Sequence, residues 1–119
     1  MKAFTDLPQS KKLAEFLPPE SADMYYDRYG DPYFINNVSI IYEHIKNDKY
    51  RHIISCWSLA ALLETLDFPA LSKDRLGSGR TGWMVSIYLD NCRYDSCWHD
   101  NPIDCCYEMI TRLHEQKLL

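Results

Sequence analysis

The stretch Cys56-Trp57-Ser58-Leu59-Ala60-Ala61-Leu62-Leu63-Glu64-Thr65-Leu66 lies near the middle of the chain and carries its strongest local structural signal. Ser58 is a favourable N-cap, because its hydroxyl can accept a hydrogen bond from an unpaired amide of the first helical turn. The leucines that follow recur at helical spacing and form one apolar stripe: Leu59, Leu62, Leu63 and Leu66. Pro69 ends the pattern. Because so short a helix is unstable alone, the stretch predicts a helix that is stabilised by packing in a core.

The composition is that of one globular domain. The chain has 119 residues, of which 46% are hydrophobic and 25% charged, so we expect a single domain over residues 1–119. The formal charge of −4 disfavours a nucleic-acid-binding protein, whose binding face is normally basic. No apolar run approaches the length of a membrane span, and the N-terminus lacks the apolar core of a signal peptide. Five cysteines fit no disulfide framework, which favours reduced thiols in a cytoplasm.

Helices are also predicted near the two ends of the chain. Asp6 is a favourable cap for a helix over Leu7–Leu17, which ends at two consecutive prolines. Asn101 is a favourable cap for a last helix that has a proline at its first position. The outward face of this last helix carries an i,i+4 ion pair, Glu108 with Arg112. Its buried stripe is predicted to comprise Ile103, Cys106, Tyr107, Ile110 and Leu113.

Two antiparallel hairpins are predicted between these helices. The first joins Met24–Tyr29 to Tyr33–Tyr42 through a Gly-Asp-Pro turn. The second joins Trp83–Leu89, where apolar and polar residues alternate, to Tyr94–His99 through an Asp-Asn turn. We therefore expect an α+β fold in which an antiparallel sheet of about four strands, in two hairpins, is covered on one face by three helices.

Three stretches carry a resemblance to a known group of proteins: Leu17-Pro18-Pro19-Glu20-Ser21-Ala22-Asp23-Met24-Tyr25-Tyr26, Trp57-Ser58-Leu59-Ala60-Ala61-Leu62-Leu63, and Asn101-Pro102-Ile103-Asp104 through Met109 to His114-Glu115. They resemble small uncharacterised proteins of prophages and mobile elements in Bacteroides-like bacteria. The resemblance implies cargo of a mobile element in a bacterial cytoplasm and a recurring small fold. It implies no activity, cofactor or binding residue.

Cys97, His99 and Cys105 are the candidates for a zinc or thiol site. Cys97 and His99 lie two residues apart on a predicted strand and are expected to face the same side, and Cys105 follows in the first turn of the last helix. Zinc needs three or four converging ligands, and the standard C-x2-C pair is absent. A nucleophilic cysteine needs a neighbouring base, which only His99 could supply to Cys105. We therefore predict structural cysteines and no metal or cofactor, with a zinc- or cysteine-dependent enzyme as an alternative.

Two further patterns are weaker. Gly77-Ser78-Gly79-Arg80-Thr81-Gly82 spells G-x-G-x-x-G, but a dinucleotide site needs this motif between a strand and a helix, and here it precedes a strand. We interpret Ser72–Gly82 as a mobile connection. The basic loops 46–52 and 73–80 could contact phosphates while Tyr50 stacks on a base, which leaves a small nucleic-acid-binding module as an alternative.

An aromatic hairpin supplies the candidate interaction site: Tyr25, Tyr26, Arg28, Tyr29 and Tyr33. Tyrosine and arginine are favoured at protein interfaces. If the strands alternate, at most half of these side chains can face a core, and the rest would form an exposed patch. The sequence thus predicts a non-enzymatic accessory or protein-interaction domain of a phage or mobile element, which binds a protein partner or associates with itself.

Overall fold

The computed structural model describes residues 2–35 and 53–119, and the chain folds as two compact units. The N-terminal unit is built from Phe4–Ala61, and the C-terminal unit from Leu62–Leu119 together with Lys2 and Ala3. That the whole chain forms one domain stays a prediction.

Helix α1 (Leu7–Ala14) opens the N-terminal unit with the predicted cap. The Asp6 carboxylate accepts the Gln9 amide at 2.9 Å, and the Gln9 side chain accepts the Asp6 amide at 3.1 Å. This reciprocal pair satisfies two amides that the helix itself leaves unpaired. The helix ends three residues before the predicted Leu17, and a single 3₁₀ turn follows at Pro19–Ser21.

A three-stranded antiparallel sheet follows, with the order β2-β1-β3. Its strands are β1 (Met24–Tyr26), β2 (Pro32–Phe34) and β3 (Ile54–Cys56). The pairing of β1 with β2 confirms the first predicted hairpin, although the strands are shorter than predicted and residues 36–42 lie outside the described residues. The sequence did not predict β3, because three residues that mix Ile, Ser and Cys carry no readable alternation.

Thr5 is the centre of a buried polar network in the N-terminal unit. Its amide donates to the Trp57 carbonyl at 2.9 Å, and its hydroxyl accepts the Trp57 amide at 3.1 Å. The same hydroxyl lies 2.8 Å from that of Ser10 on α1, and the Thr5 carbonyl accepts the Tyr26 hydroxyl at 2.7 Å. Thr5, Ser10 and Trp57 are fully buried. This one residue therefore ties α1, β1 and the end of β3 together.

Helix α2 (Leu59–Glu64) is the predicted central helix, and Ser58 is its cap. The Ser58 hydroxyl accepts the Ala61 amide at 3.3 Å and itself donates to the Asp23 carboxylate, which also accepts the Ser58 amide at 2.9 Å. Of the predicted apolar stripe, Leu62 and Leu66 are buried and the other two leucines are half-buried.

The C-terminal unit holds a second three-stranded antiparallel sheet, with the order β4-β5-β6. Its strands are β4 (Ala70–Arg75), β5 (Thr81–Leu89) and β6 (Cys92–Asp95). Helix α3 (Pro102–Glu115), capped by Asn101 as predicted, packs against β5. Both elements contribute fully buried side chains to this layer: Val85, Ile87, Ile103, Cys105, Cys106, Met109 and Ile110.

The single four-stranded sheet predicted from the sequence is wrong, because the described residues form two sheets of three strands each. The α+β class, the antiparallel pairing and the three α-helices of the described residues agree with the prediction. The unpredicted β4 lies at the edge of its sheet and is largely exposed, so it shows no apolar alternation. Among the helices that the structure describes, none has both the length and the apolar character needed to cross a bilayer.

We expect Thr5→Val to lower the free energy of unfolding by about 1–3 kcal/mol. Valine keeps the shape of threonine but leaves the buried Trp57 amide without an acceptor. Urea denaturation followed by tryptophan fluorescence measures the change, with Thr81→Val on exposed strand residue Thr81 as the matched control. Equal effects of the two substitutions would contradict the role assigned to the network.

Candidate functional site

The turn of the first hairpin is rigidly hydrogen-bonded. The Asp27 amide donates to the Asp31 carbonyl at 3.0 Å, and the Gly30 amide donates to the Asp27 carbonyl at 3.0 Å. The Asp27 carboxylate accepts the amides of Tyr29 at 2.8 Å and Asp31 at 3.0 Å. Gly30 has a φ of 82°, a value that favours glycine and is typical of a three-residue hairpin loop. These contacts fix the position of the two residues at the tip, Arg28 and Tyr29.

Strand alternation divides the tyrosines between the two faces of the sheet. Tyr26 faces the core with Met24, and burial raises the pKa of its phenol to about 12, with a smaller contribution from Cys56. Tyr26 is therefore not available as an interaction residue, contrary to the prediction. Tyr25 and Tyr33 are cross-strand partners on the other face, where their rings stack with centroids 5.5 Å apart.

What we call the aromatic surface of this hairpin comprises the half-buried Tyr25 and four exposed residues: Arg28, Tyr29, Tyr33 and Phe34. Tyr29 is 73% exposed, Phe34 68% and Tyr33 47%. The Arg28 guanidinium lies 4.8 Å from the centre of the Tyr29 ring and donates to its hydroxyl at 2.6 Å. Four of the five residues predicted for an interaction site are thus brought together here.

Phe34 was missed by the sequence analysis. Its cross-strand partner is the buried Met24, so the alternation alone places Phe34 on the core side of the sheet. Among the described residues, α1 packs against β3, at the opposite edge of the sheet, and Phe34 on β2 is exposed. The only signal in the sequence is the adjacency of two large aromatic residues, Tyr33 and Phe34, of which one must lie on each face.

A second polar cluster lies around Glu108 on α3. Its carboxylate accepts the Cys97 amide at 3.1 Å, contacts the His99 ring nitrogen Nε2 at 2.9 Å and accepts from Arg112 at 2.7 Å. Burial acts to raise the pKa of Glu108, but the hydrogen bonds from His99, Cys97 and Arg112 outweigh it, and the net pKa is lowered. Glu108 therefore fixes the segment after β6 to the helix.

A bulge in the second sheet brings Cys97 and His99 to this carboxylate. Ser96 is bonded to Val85, whereas His99 pairs with Trp83, so one extra residue lies on the side of Ser96. The Ser96 hydroxyl compensates by accepting the Val85 amide at 3.0 Å. The predicted regular strand Tyr94–His99 is therefore wrong, and with it the argument that Cys97 and His99 face one side by simple alternation.

The thiols of the proposed zinc or cysteine site do not converge. Cys105 is fully buried and its thiol donates to the Pro102 carbonyl at 3.1 Å, while Cys97 is exposed. A hydrogen bond with Cys106 lowers the pKa of Cys105, the predicted nucleophile, but this thiol is fully buried and the His99 ring expected to act as its base contacts Glu108. The Glu108 carboxylate raises the pKa of the exposed Cys97. Cys106, the buried neighbour of Cys105, has a raised pKa because of its hydrogen bond with Cys105 and because of burial. Within residues 2–35 and 53–119, no three Cys, His, Asp or Glu side chains are arranged to hold a metal ion.

The glycine-rich motif forms a hairpin turn rather than the predicted mobile connection. The Leu76 amide donates to the Arg80 carbonyl at 2.8 Å, and Gly79 has a φ of 83°. A Cβ on Gly82 would lie 2.9 Å from the Leu76 side chain, so this glycine permits close packing of the turn. The motif thus joins β4 to β5, the wrong context for a dinucleotide site.

The basic stretch 73–80 is largely engaged within the C-terminal unit. The Lys73 ammonium lies 5.2 Å from the centre of the Trp83 ring, and one guanidinium nitrogen of Arg80 donates to both carboxylate oxygens of Asp100, at 2.8 and 2.9 Å. Loop 46–52, the other half of the predicted nucleic-acid contact, lies outside the described residues. The convergence of the two loops stays a prediction.

No protein-family model, no curated protein and no solved structure matches the chain. The resemblance to proteins of prophages and mobile elements therefore stays a prediction, and the function must be inferred from the residues themselves.

The buried phenol of Tyr26 predicts a loss of stability at alkaline pH. Its pKa in the folded protein, about 12, exceeds the ordinary 10.0, so folding favours the neutral phenol. The contribution to stability is complete below pH 10 and is lost as the pH rises towards 12. Urea midpoints between pH 8 and 12 should fall more steeply for the wild type than for Tyr26→Phe. Parallel curves would contradict the burial of this hydroxyl.

Glu108→Gln should lower the free energy of unfolding at pH 7 by about 1–3 kcal/mol, because charge-assisted hydrogen bonds to His99 and the Cys97 amide weaken. The lowered pKa of Glu108 adds a pH dependence: its stabilisation is present above the ordinary pKa of 4.5 and is lost as the pH falls through the folded value. Thermal unfolding of the wild type should thus approach that of Glu108→Gln in acid. Glu115→Gln, on the exposed end of α3, is the control.

Proposed function

We propose that this chain is a non-enzymatic protein-interaction domain, an accessory protein of a phage or mobile element in a bacterial cytoplasm, and that it binds its partner through the aromatic surface. The observation that supports this proposal is the exposure of three large rings, those of Tyr29, Tyr33 and Phe34, on one short hairpin. Large apolar side chains grouped in this way mark interaction sites on otherwise polar surfaces.

The energetics of these side chains favour binding. Complete burial of a ring such as that of Phe34 contributes about 1.5–3 kcal/mol. Tyrosine and arginine are among the residues that most often dominate the energy of an interface, because they bury a large area and keep a polar group at the tip. Because Tyr33 and Phe34 lie on opposite faces of β2, a partner that buries both, together with Tyr29, wraps around this strand at the edge of the described sheet.

The hairpin is also ordered before binding. Asp27 holds the turn through two amides, the Tyr25 and Tyr33 rings support each other, and Arg28 is held against Tyr29. Because these side chains already have fixed positions, they lose less conformational entropy when a partner binds. The side chains around Glu108, in contrast, use their polar groups on one another.

Photo-cross-linking in the native host tests the proposal. A benzophenone amino acid replaces Phe34 in one strain and Phe68, which is 91% exposed in the C-terminal unit, in a control strain. We expect a discrete protein adduct at position 34 and not at position 68. The purified partner should then bind Phe34→Ser at least about tenfold more weakly than the wild type, in keeping with the loss of a buried aromatic side chain.

The control for this loss is Phe68→Ser, which should bind the partner as the wild type does. Equal cross-linking at both positions, or unchanged affinity of Phe34→Ser, would contradict the proposal. If the adduct is a second copy of the chain, sedimentation measures the association, and the same two serine variants decide whether the aromatic surface carries it.

A further inference from the structure

We propose that the aromatic surface binds a basic segment of its protein partner, with a lysine or arginine side chain placed against the Tyr33 ring and beside the Asp31 carboxylate. This inference rests on the proposed function and adds the chemistry of the partner. It follows from the charge around the hairpin, from the exposed Asp31 carboxylate, and from the proline in β2.

The sequence around the hairpin is acidic. Residues 20–35 contain four acidic residues and one basic residue, a formal charge of −3: Glu20, Asp23, Asp27 and Asp31 against Arg28. A cation approaching the rings is therefore attracted both by these carboxylates and by the electron-rich ring faces.

The negative field reaches the Tyr33 ring. The pKa of the Tyr33 phenol is raised, above all by the charge of Asp27, then by partial removal of the phenol from water, and then by the charge of Asp31. The same field that disfavours a negative phenolate favours a positive guanidinium or ammonium group at that position. Tyr33 also stacks on Tyr25, so its ring is held in place for such a contact.

Asp31 carries an exposed carboxylate of the turn that a partner can use. The Asp27 carboxylate already accepts two backbone amides of the turn, and the Asp23 carboxylate is bonded to Ser58. The Asp31 carboxylate is exposed and accepts no hydrogen bond from the described residues. It therefore offers both oxygens to an incoming lysine or arginine.

The hairpin already holds one guanidinium against a ring, which supports the geometry. Arg28 lies 4.8 Å from the centre of the Tyr29 ring. Because Arg28 is engaged there, its charge is held at the tip of the hairpin, and the carboxylates of Asp27 and Asp31 act on the exposed Tyr33 ring.

Pro32 disfavours the other common mode of peptide binding, the addition of a strand to the sheet edge. The bonds between Asp27 and Asp31 and between Asp23 and Ile35 direct the backbone groups of residues 31, 33 and 35 towards β1, and those of Pro32 and Phe34 away from it. Pro32 has no amide to donate at this outer edge. We therefore expect recognition at this edge of the described sheet to use side chains, and their charge to decide which partner fits.

Fluorescence anisotropy with two labelled peptides tests the inference. One peptide alternates five arginines with glycine, and the other has glutamate in place of each arginine. We expect the arginine peptide to bind at least about tenfold more tightly, since both the field and the rings favour a cation. Asp31→Asn and Tyr33→Leu should each weaken its binding about threefold, and the double variant about tenfold.

The matched controls lie in the C-terminal unit: Asp90→Asn removes one exposed carboxylate, and Tyr88→Leu removes one exposed ring. Both should bind the arginine peptide as the wild type does. If the control variants lose as much affinity for the arginine peptide as Asp31→Asn and Tyr33→Leu, the peptide is attracted by the acidic chain in general, and the site assigned here is wrong. Equal affinity for the two peptides would overturn the inference outright.

The cross-linked partner separates this inference from the proposed function. If its contact segment is acidic while Phe34→Ser still weakens binding, the basic-segment inference is overturned and the aromatic surface remains the binding site. If Phe34→Ser leaves the affinity unchanged, both are overturned.

Discussion

The hydrogen bond from the Tyr26 hydroxyl to the Thr5 carbonyl is the constraint on which the aromatic surface depends. It fixes the Tyr26 side chain of β1 in the core of the N-terminal unit, within the buried hydrogen-bond network around Thr5. Since side chains alternate along a strand, Tyr25 and its partner Tyr33 must then lie on the opposite face. A slip of one residue would exchange the two sets, and the buried polar groups around Thr5 would lose their partners. The polar interior thus determines which rings reach the surface.

In the C-terminal unit, the side chains that looked most reactive are engaged in structural contacts. Glu108 accepts from Cys97, His99 and Arg112, and Cys105 donates to the backbone of its own helix. The bulge after β6 makes this possible, because it places the Cys97 amide and the His99 ring against the helix. In the described residues, every buried side-chain nitrogen and oxygen has a hydrogen-bond partner. The N-terminal hairpin, by contrast, leaves the rings of Tyr29, Tyr33 and Phe34 and the Asp31 carboxylate exposed.

The sequence predicts the local features of this fold well and the long-range ones poorly. The caps at Asp6, Ser58 and Asn101 depend on residues within three positions, so they could be read directly. The Asp90-Asn91 turn has the same local character, since both residues adopt the positive φ that this hairpin type requires. The polar edge strand β4 is defined by its partner β5 and has no pattern of its own, so no local rule predicts it.

The candidate site divides in the same way. Alternation predicted that some of the tyrosines between 25 and 33 would face outward, and the structure adds which ones. The exposure of Phe34 depends on where α1 packs, and the convergence on Glu108 depends on a bulge, so neither could be predicted from spacing. The exposure of the Asp31 and Tyr33 side chains likewise follows from the turn geometry around Gly30 and not from composition.

The division of the tyrosines between core and surface is tested most directly by hydroxyl-radical footprinting with mass spectrometry, which compares oxidation rates of chemically identical side chains. The account predicts rapid oxidation of Tyr29 and Tyr33, an intermediate rate at Tyr25, and protection of Tyr26 in the folded protein that is lost in denaturant. Oxidation of Tyr26 at the rate of Tyr33 would mean that the Thr5 network does not hold this strand, and would contradict the account of the aromatic surface.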